Sequence, residues 1–210
     1  MKSVLISIQP KWCEFIANGK KTVEVRKTKP KLDTPFKVYI YCTRNKRQWL
    51  RKVNNFIREI FITENRDVLG RTDKVKSVIG GMTTFVENGG YNGKVIGEFV
   101  CNEITYLGNV STDPWYSLLG NVHESHKQLV TKYACLTEEE LLKYGGKYAW
   151  HISNLVIYDK PRELSEFYVP VKDHWETYNP SNYINGCWQK PLQRPPQSWC
   201  YVESGAQGNE

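Results

Sequence analysis

Gly19-Lys-Lys-Thr-Val-Glu-Val-Arg26 alternates polar and apolar residues over its second half. Because successive side chains on a β-strand point to opposite faces, the alternation over residues 22–26 predicts a strand. On that strand the two valines share one face, while Thr22, Glu24 and Arg26 share the other. The segment therefore presents a carboxylate and a guanidinium side by side.

The lysines before this strand extend its polar face. Lys20 joins the face if the strand begins early, and Lys21 lies at the bend that precedes it. Lysine and arginine could hold a phosphate there while Glu24 orients a ligand or abstracts a proton. The alternative is a solvent-exposed strand face with cross-strand ion pairs worth about 0–1 kcal/mol each. The alternation alone favours this second interpretation, because such patterns are common on solvated strands.

The flanking sequence predicts one strand before the short helix and another strand after the motif. Residues 3–8 and 36–42 are rich in β-branched and aromatic residues, which favour strands. Pro10 suits the first turn of a helix, and Asn18-Gly19 suits its end. Further strands are predicted over residues 95–107 and 148–157.

Later signals complete the predicted order of elements. Thr137 and Glu140 form a capping-box pattern that starts a short helix. Residues 161–167 are expected to form a helical turn. A final edge strand is expected within residues 194–202, covering a sheet edge with Trp199 as its anchor.

Residues 44–92 interrupt this order and are interpreted as an insertion. Apolar residues at helical spacing predict one helix up to Ile60. The polar, glycine-rich remainder predicts a long loop. The spaced apolar residues are Trp49, Val53, Phe56, Ile57 and Ile60.

The predicted fold class is therefore α+β, a small mixed β-barrel with flanking helices and a helical or loop insertion. Residues 1–168 form the main domain, with the insertion at 44–92. Residues 169–210 form a C-terminal extension that packs on the barrel and frays at its end.

Composition and charge narrow the class of protein. The chain has 210 residues, 40% of them hydrophobic and 24% charged, which is typical of a globular protein. The absence of a run of eighteen apolar residues argues against a transmembrane helix and predicts no membrane partner. The net charge of +7 is uneven, because residues 1–76 carry +12 and residues 77–210 carry −5. A basic region of this kind attracts polyanions such as RNA, DNA or nucleotides, although it is also typical of a solvated face.

The cysteines and histidines predict a cytoplasmic protein without metal or other cofactor. Six cysteines occur without a C-x-x-C pair, which argues against a zinc ribbon or a redox motif. Several lie in apolar contexts typical of buried thiols. His123 and His126 have a metal-compatible spacing but no matching third ligand, so we expect no metal site.

The pattern G-x-K-x-x-E-x-R at residues 19–26, between a helix and a strand, resembles the motif of the ASCH family within the PUA-like superfold. Residues 8–12, 39–43, 93–97 and 148–153 are similar to other segments of that family, in the same order. The resemblance covers most of residues 1–165 once 44–92 is set aside, and it is to phage and bacterial ASCH proteins.

The resemblance implies a β-barrel with a cleft beside the motif. ASCH proteins are linked to RNA binding, RNA cleavage and hydrolysis of acylated cytidine. In the amidohydrolase branch the catalytic lysine matches Lys21, but Glu24 stands where that branch has its nucleophilic threonine. A glutamate cannot form the acyl-enzyme, although it could activate a water. The branch's helical glutamate would be Glu139 or Glu140.

The candidate ligand-binding residues surround this motif. Lys20, Lys21 and Arg26 are expected on phosphate. Three aromatic residues are candidates for stacking on a base. The alternative for these aromatics is packing in the core or at the barrel rim. His151 is an acid–base candidate only if its face of the strand lines the cleft. The aromatic candidates are Trp12, Tyr41 and Trp150, and the two further expected contacts are Thr43 and Ser153.

Three functions follow from the sequence. The first is an RNA- or nucleotide-binding module with phosphate held by the motif. The second is a hydrolase of RNA or of a modified nucleoside that uses Lys21 and Glu24. The third is a protein-interaction module whose basic insertion contacts a partner.

Overall fold

The structure, a computed structural model, is mostly β-sheet with few helices. It describes residues 2–44, 48–53, 56–61, 75–79, 82–86, 91–107, 129–137, 139–141, 147–171, 183–184 and 187–204. Within this part of the chain, no helix has the length and hydropathy needed to cross a membrane.

The strands follow the chain in the order β1 to β13. The helical elements are α1 (Pro10–Ala17), a π-helical turn (Leu129–Tyr133) and a 3-10 turn (Leu164–Glu166). The strands are β1 Ser3–Ile8, β2 Val23–Arg26, β3 Phe36–Cys42, β4 Gln48–Val53, β5 Phe56–Phe61, β6 Val75–Ile79, β7 Met82–Val86, β8 Val95–Tyr106, β9 Tyr148–Arg162, β10 Phe167–Pro170, β11 Tyr183–Ile184, β12 Cys187–Pro191 and β13 Trp199–Ser204.

One large sheet organises the described residues. Its nine strands lie in the order β11-β12-β10-β13-β1-β3-β8-β9-β2. β1 pairs parallel with β3, and its other neighbour β13 runs antiparallel to it. The sheet has two free ends, β2 and β11, and no ladder among the described strands closes it, so the predicted closed barrel is not observed. Instead, the Arg26 side chain on β2 donates a hydrogen bond to the backbone carbonyl oxygen of Ser7 on β1.

The helix predicted in the insertion is wrong. β4 and β5 form an antiparallel hairpin with Trp49 opposite Ile60. β6 and β7 form a second two-stranded sheet where a loop was expected. The physical reason is the composition, since aromatic and β-branched residues at this spacing favour strands as readily as helices.

The C-terminal strand is present, but it does not lie at an edge. β13 pairs with β1 on one side and with β10 on the other. The expected boundary at residue 168 falls within β10. The expected frayed end, residues 205–210, lies outside the described part of the chain.

Both faces of the sheet are covered, which decides where the core lies. On β3, Val38 and Ile40 belong to a cluster that also contains buried residues of α1. The intervening Tyr39 and Tyr41 belong to a second cluster on the other face, with Phe167 of β10. From Val38 to Cys42 both side-chain rows of β3 are therefore buried, and the sheet offers little free surface at its centre.

Candidate functional site

A cavity of about 790 Å³ opens where β2, the end of β1 and α1 meet. Its walls combine charged, aromatic and apolar side chains, and the C-terminal segment before β13 closes one side. The lining residues are Ser7, Ile8, Gln9, Trp12, Lys21, Glu24, Val25, Arg26, Lys27, Thr28, Thr43, Leu136, Leu141, Pro195, Pro196, Gln197 and Ser198.

Three charged side chains of the motif converge in this cavity. Glu24 lies between two cations, with its Oε2 3.4 Å from Lys21 Nζ and its Oε1 3.1 Å from Arg26 Nη2. Lys21 is only 2% exposed, and its Nζ also donates a 2.6 Å hydrogen bond to the backbone carbonyl oxygen of Ala134. The three residues thus form a buried cation–anion–cation chain that carries a net charge of +1.

Local backbone structure sets the position of this chain. Gly19 follows α1 with φ +71°, a conformation that suits glycine, and the turn is closed by hydrogen bonds from the Lys20 and Lys21 amides to Phe15 O. This turn directs Lys21 inward. Glu24 is fixed by β2, where it pairs directly with Trp150 of β9.

The Arg26 side chain links β2 to β1 beside the cavity. Its Nη2 donates a 2.6 Å hydrogen bond to Ser7 O while it also contacts Glu24. Its Nε is buried and has no hydrogen-bond partner among the described residues. Buried N–H donors are rarely left without an acceptor, so this Nε is an unusual feature of the site.

Trp12 provides an aromatic wall that carries cations. Lys21 Nζ lies 5.2 Å from the centroid of the Trp12 ring, and Lys11 Nζ lies 4.4 Å from it. Lys11 also reaches Glu140 at 4.0 Å. Glu140 closes the predicted capping box with Thr137. Trp12 is half-buried in the wall of the cavity, a position compatible with both roles that the sequence left open for it, base stacking and packing.

The C-terminal wall was missed at the level of sequence. Ser7 Oγ donates a 2.6 Å hydrogen bond to Pro196 O, and the Ser7 amide donates to Ser198 O. Trp199 Nε1 donates to Thr28 Oγ1 at 3.0 Å. The Pro195-Pro196 pair predicts an extended backbone at this point of the chain. It does not predict that this segment lies beside the motif at residues 19–26.

Four predicted contact residues are placed elsewhere. Trp150 is fully buried against Phe36 and Trp199, and Tyr41 is 3% exposed in the second cluster, so neither ring has a face for a base. The stacking roles assigned to them are wrong because both faces of the sheet are covered. Ser153 donates its hydroxyl to Val100 O and, like the exposed Lys20, does not line the cavity. Thr43 does line it.

Other candidates also lie away from the cavity. His151 contacts Thr105 Oγ1 at 2.9 Å and does not line the cavity. Glu139 is exposed outside it as well. His123 and His126 lie outside the described residues. Among those that are described, no group of three or more His, Cys, Asp or Glu side chains could hold a metal.

A second polar cluster lies on β3, β8 and β9, outside the cavity. Glu98 accepts hydrogen bonds from Lys37 Nζ at 2.8 Å and from Tyr158 Oη at 2.6 Å. Burial acts to raise the pKa of Glu98, but these two hydrogen bonds and the positive charges of Lys37 and Arg162 together hold that pKa below its ordinary value. Burial and the same carboxylate raise the pKa of Tyr158. This cluster stabilises the strands rather than forming a site.

The cavity has the chemistry of an anion site with an aromatic wall. Lys21, Arg26 and Lys27 bring three positive charges, against one carboxylate from Glu24. Both oxygens of that carboxylate already contact cations. The arrangement can therefore attract a phosphate while its apolar side accepts a flat ring.

Three solved structures are similar to the chain over nearly its full length. ASCH from Zymomonas mobilis is 17% identical over 96% of this chain and 87% of that chain, with a TM-score of 0.46. A tyrosine-to-phenylalanine variant of it covers 97% and 91% at 0.43, and a serine-to-alanine variant covers 96% and 88% at 0.45, both at 17% identity. These structural neighbours are ASCH domain proteins. No family model and no curated protein matches the sequence.

Proposed function

We propose that the protein binds RNA or a nucleotide, with a phosphate held in the cavity by Arg26 and Lys27. One observation carries the proposal: Lys21, Glu24 and Arg26 converge in one cavity beside Trp12. The polar side chains of the motif thus line a concave cavity, whereas the alternation alone favoured a solvent-exposed strand face.

The dimensions and charges of the cavity support this ligand class. A volume of about 790 Å³ lies in the range of small-ligand sites. The excess of positive charge among the lining residues favours a phosphate. Trp12 adds an aromatic surface that suits a base.

The contacts of Lys21 and Glu24 favour binding over hydrolysis. A general base must reach the proton that it removes. Glu24 is only 7% exposed, both of its oxygens contact cations, and Lys21 Nζ already donates to Ala134 O. Their role in the proposal is to fix Arg26 and to set the charge of the site.

Binding measurements with matched variants test the proposal. Fluorescence anisotropy of a labelled single-stranded RNA, and competition by uridine monophosphate, give the two affinities. Arg26→Gln should weaken both by about 10- to 100-fold, as expected for loss of a charge-assisted hydrogen bond. Lys27→Gln should reduce the slope of log K against log salt by about 0.7. Lys2→Gln removes the same charge from an exposed position that does not line the cavity and should match the wild type.

The same preparations separate the alternatives. Cleavage of RNA or of acylated cytidine that is abolished by Glu24→Gln, with binding retained, would favour the hydrolase. Equal affinities for Arg26→Gln, Lys2→Gln and the wild type would contradict the proposed site.

A further inference from the structure

We propose that a single-stranded RNA bound in the cavity continues over an outer tyrosine surface formed by Tyr106, Tyr148 and Lys29, where its bases stack on the tyrosine rings. The inference rests on the proposed function and extends it. It assigns a single-stranded ligand longer than one nucleotide.

Strand register places this surface directly beside the cavity. Arg26 on β2 pairs with Tyr148 on β9, and Tyr148 pairs with Tyr106 on β8. Residues directly opposite one another in antiparallel strands project on the same face, with Cβ atoms about 5 Å apart. The two tyrosines therefore form a row that leads outward from Arg26, on the face that carries the cavity.

The rings are accessible and already pack against each other. Tyr106 is 51% exposed and is one of three large hydrophobic residues that are exposed in the described part of the chain. Its ring centroid is 5.3 Å from that of the half-buried Tyr148, with the planes tilted by 48°. Such a pair offers a stacking surface at little further cost in side-chain order. Unpaired bases use surfaces of this kind without regard to sequence.

A basic segment connects the cavity to these rings. Lys27 lines the cavity, and Lys29 Nζ lies 5.8 Å from the centroid of the Tyr148 ring. Both lysines are exposed, and neither forms an ion pair within the described residues. Positive charge thus follows the same path as the aromatic row.

Two hydrogen bonds hold the basic segment in place. Thr28 Oγ1 accepts from Trp199 Nε1, and the Lys31 amide donates to Tyr201 Oη at 2.7 Å. Both partners lie on β13, inside the main sheet. The segment from residue 27 to 31 is therefore fixed at two points, which reduces the entropy lost when a strand binds.

The combination indicates an unpaired strand of RNA. Aromatic rings beside lysines match a polyanion whose bases are free to stack. A duplex would offer phosphates but no base faces. The surface should therefore discriminate by strandedness as well as by length.

The test compares a mononucleotide with a short single strand. Uridine monophosphate and an oligouridylate of about ten nucleotides are titrated against wild type, Tyr106→Leu and Tyr106→Phe. Tyr106→Leu should weaken oligouridylate binding about 5- to 100-fold and leave uridine monophosphate unchanged. Tyr106→Phe should keep both affinities, because it keeps the ring.

Tyr133 supplies the matched control. It is 42% exposed, and Lys132 Nζ lies 5.3 Å from its ring centroid, but it lies outside both the row and the cavity lining. Tyr133→Leu should therefore bind oligouridylate as the wild type does. Circular dichroism of each variant verifies that it is folded.

The outcomes separate this inference from the proposed function. If Tyr106→Leu and Tyr133→Leu both bind oligouridylate like the wild type, the outer tyrosine surface is wrong while the cavity site stands. The same follows if the wild type binds a duplex as tightly as the single strand. If the wild type binds neither uridine monophosphate nor oligouridylate, the proposed function fails and the inference fails with it.

Discussion

Replacing Lys21 by methionine perturbs the candidate site at its most buried charge. Methionine keeps much of the length and the apolar stem but removes the ammonium group. Two acceptors then lose a donor: Ala134 O, now at 2.6 Å from Nζ, and Glu24 Oε2, now at 3.4 Å. Arg26 still pairs with the other Glu24 oxygen at 3.1 Å, so the carboxylate keeps one cation.

The expected loss of stability follows from burial. Lys21 is 2% exposed, so solvent cannot replace the lost donor. Leaving the buried Ala134 carbonyl oxygen without its donor should cost about 1–3 kcal/mol. At about 2–4 °C per kcal/mol for a chain of this size, we expect the melting temperature to fall by roughly 2–12 °C. Because the Lys21 and Glu24 side chains contact each other at 3.4 Å, the effects of Lys21→Met and Glu24→Gln should depart from additivity by about 0.5–3 kcal/mol.

Urea and thermal unfolding followed by circular dichroism measure this effect. The neighbouring Lys20→Met is the matched control, because the Lys20 side chain is exposed and its Nζ forms no ion pair within the described residues, where it lies 5.8 Å from the Phe15 ring centroid. It should unfold as the wild type does. If Lys21→Met and Lys20→Met unfold alike, or if the two changes at 21 and 24 are simply additive, the buried charge chain does not exist as described.

Three further predictions concern the rest of the fold. The wild type should be more stable than Glu98→Gln above pH 4.5, and this difference should disappear as the pH falls below that value. The reason is that the two hydrogen bonds hold the pKa of the Glu98 carboxyl group below 4.5. Unfolding at a series of pH values measures the difference. Gly97→Ala should destabilise by roughly 1–3 kcal/mol in urea unfolding, because its Cβ would overlap the carbonyl oxygen of Val156. At pH 8, iodoacetamide should modify Cys135 well before Cys101, because burial raises the pKa of the Cys101 thiol to about 12. Peptide mass mapping gives both rates of modification, and equal rates would contradict the burial of Cys101.

Local patterns were enough to predict much of the main sheet. The alternation over residues 22–26 predicted β2. Val23 packs in the core and the half-buried Val25 packs against the same cluster, while Glu24 and Arg26 line the cavity. Pro10 and Asn18-Gly19 marked the ends of α1 correctly. These features are set by backbone preference over a few residues, which is why the sequence sufficed.

Features that depend on distant packing could not be predicted. The spacing of apolar residues over 48–61 is compatible with both periodicities, and only strand pairing decides for the hairpin. Trp150 and Tyr41 carry aromatic rings suited to a base, but coverage of both sheet faces buries them. The cavity wall at residues 195–198 depends on β13 pairing with β1, almost two hundred residues away along the chain.

The crystal structure of the protein with uridine monophosphate is the measurement that bears most directly on the proposed site. We expect the phosphate to lie in the cavity with an oxygen about 3 Å from the Arg26 guanidinium, with Lys27 nearby and the base against Trp12. The Lys21–Glu24–Arg26 chain should keep its present contacts. A nucleotide bound outside the cavity, or a phosphate held without Arg26 and Lys27, would contradict the account.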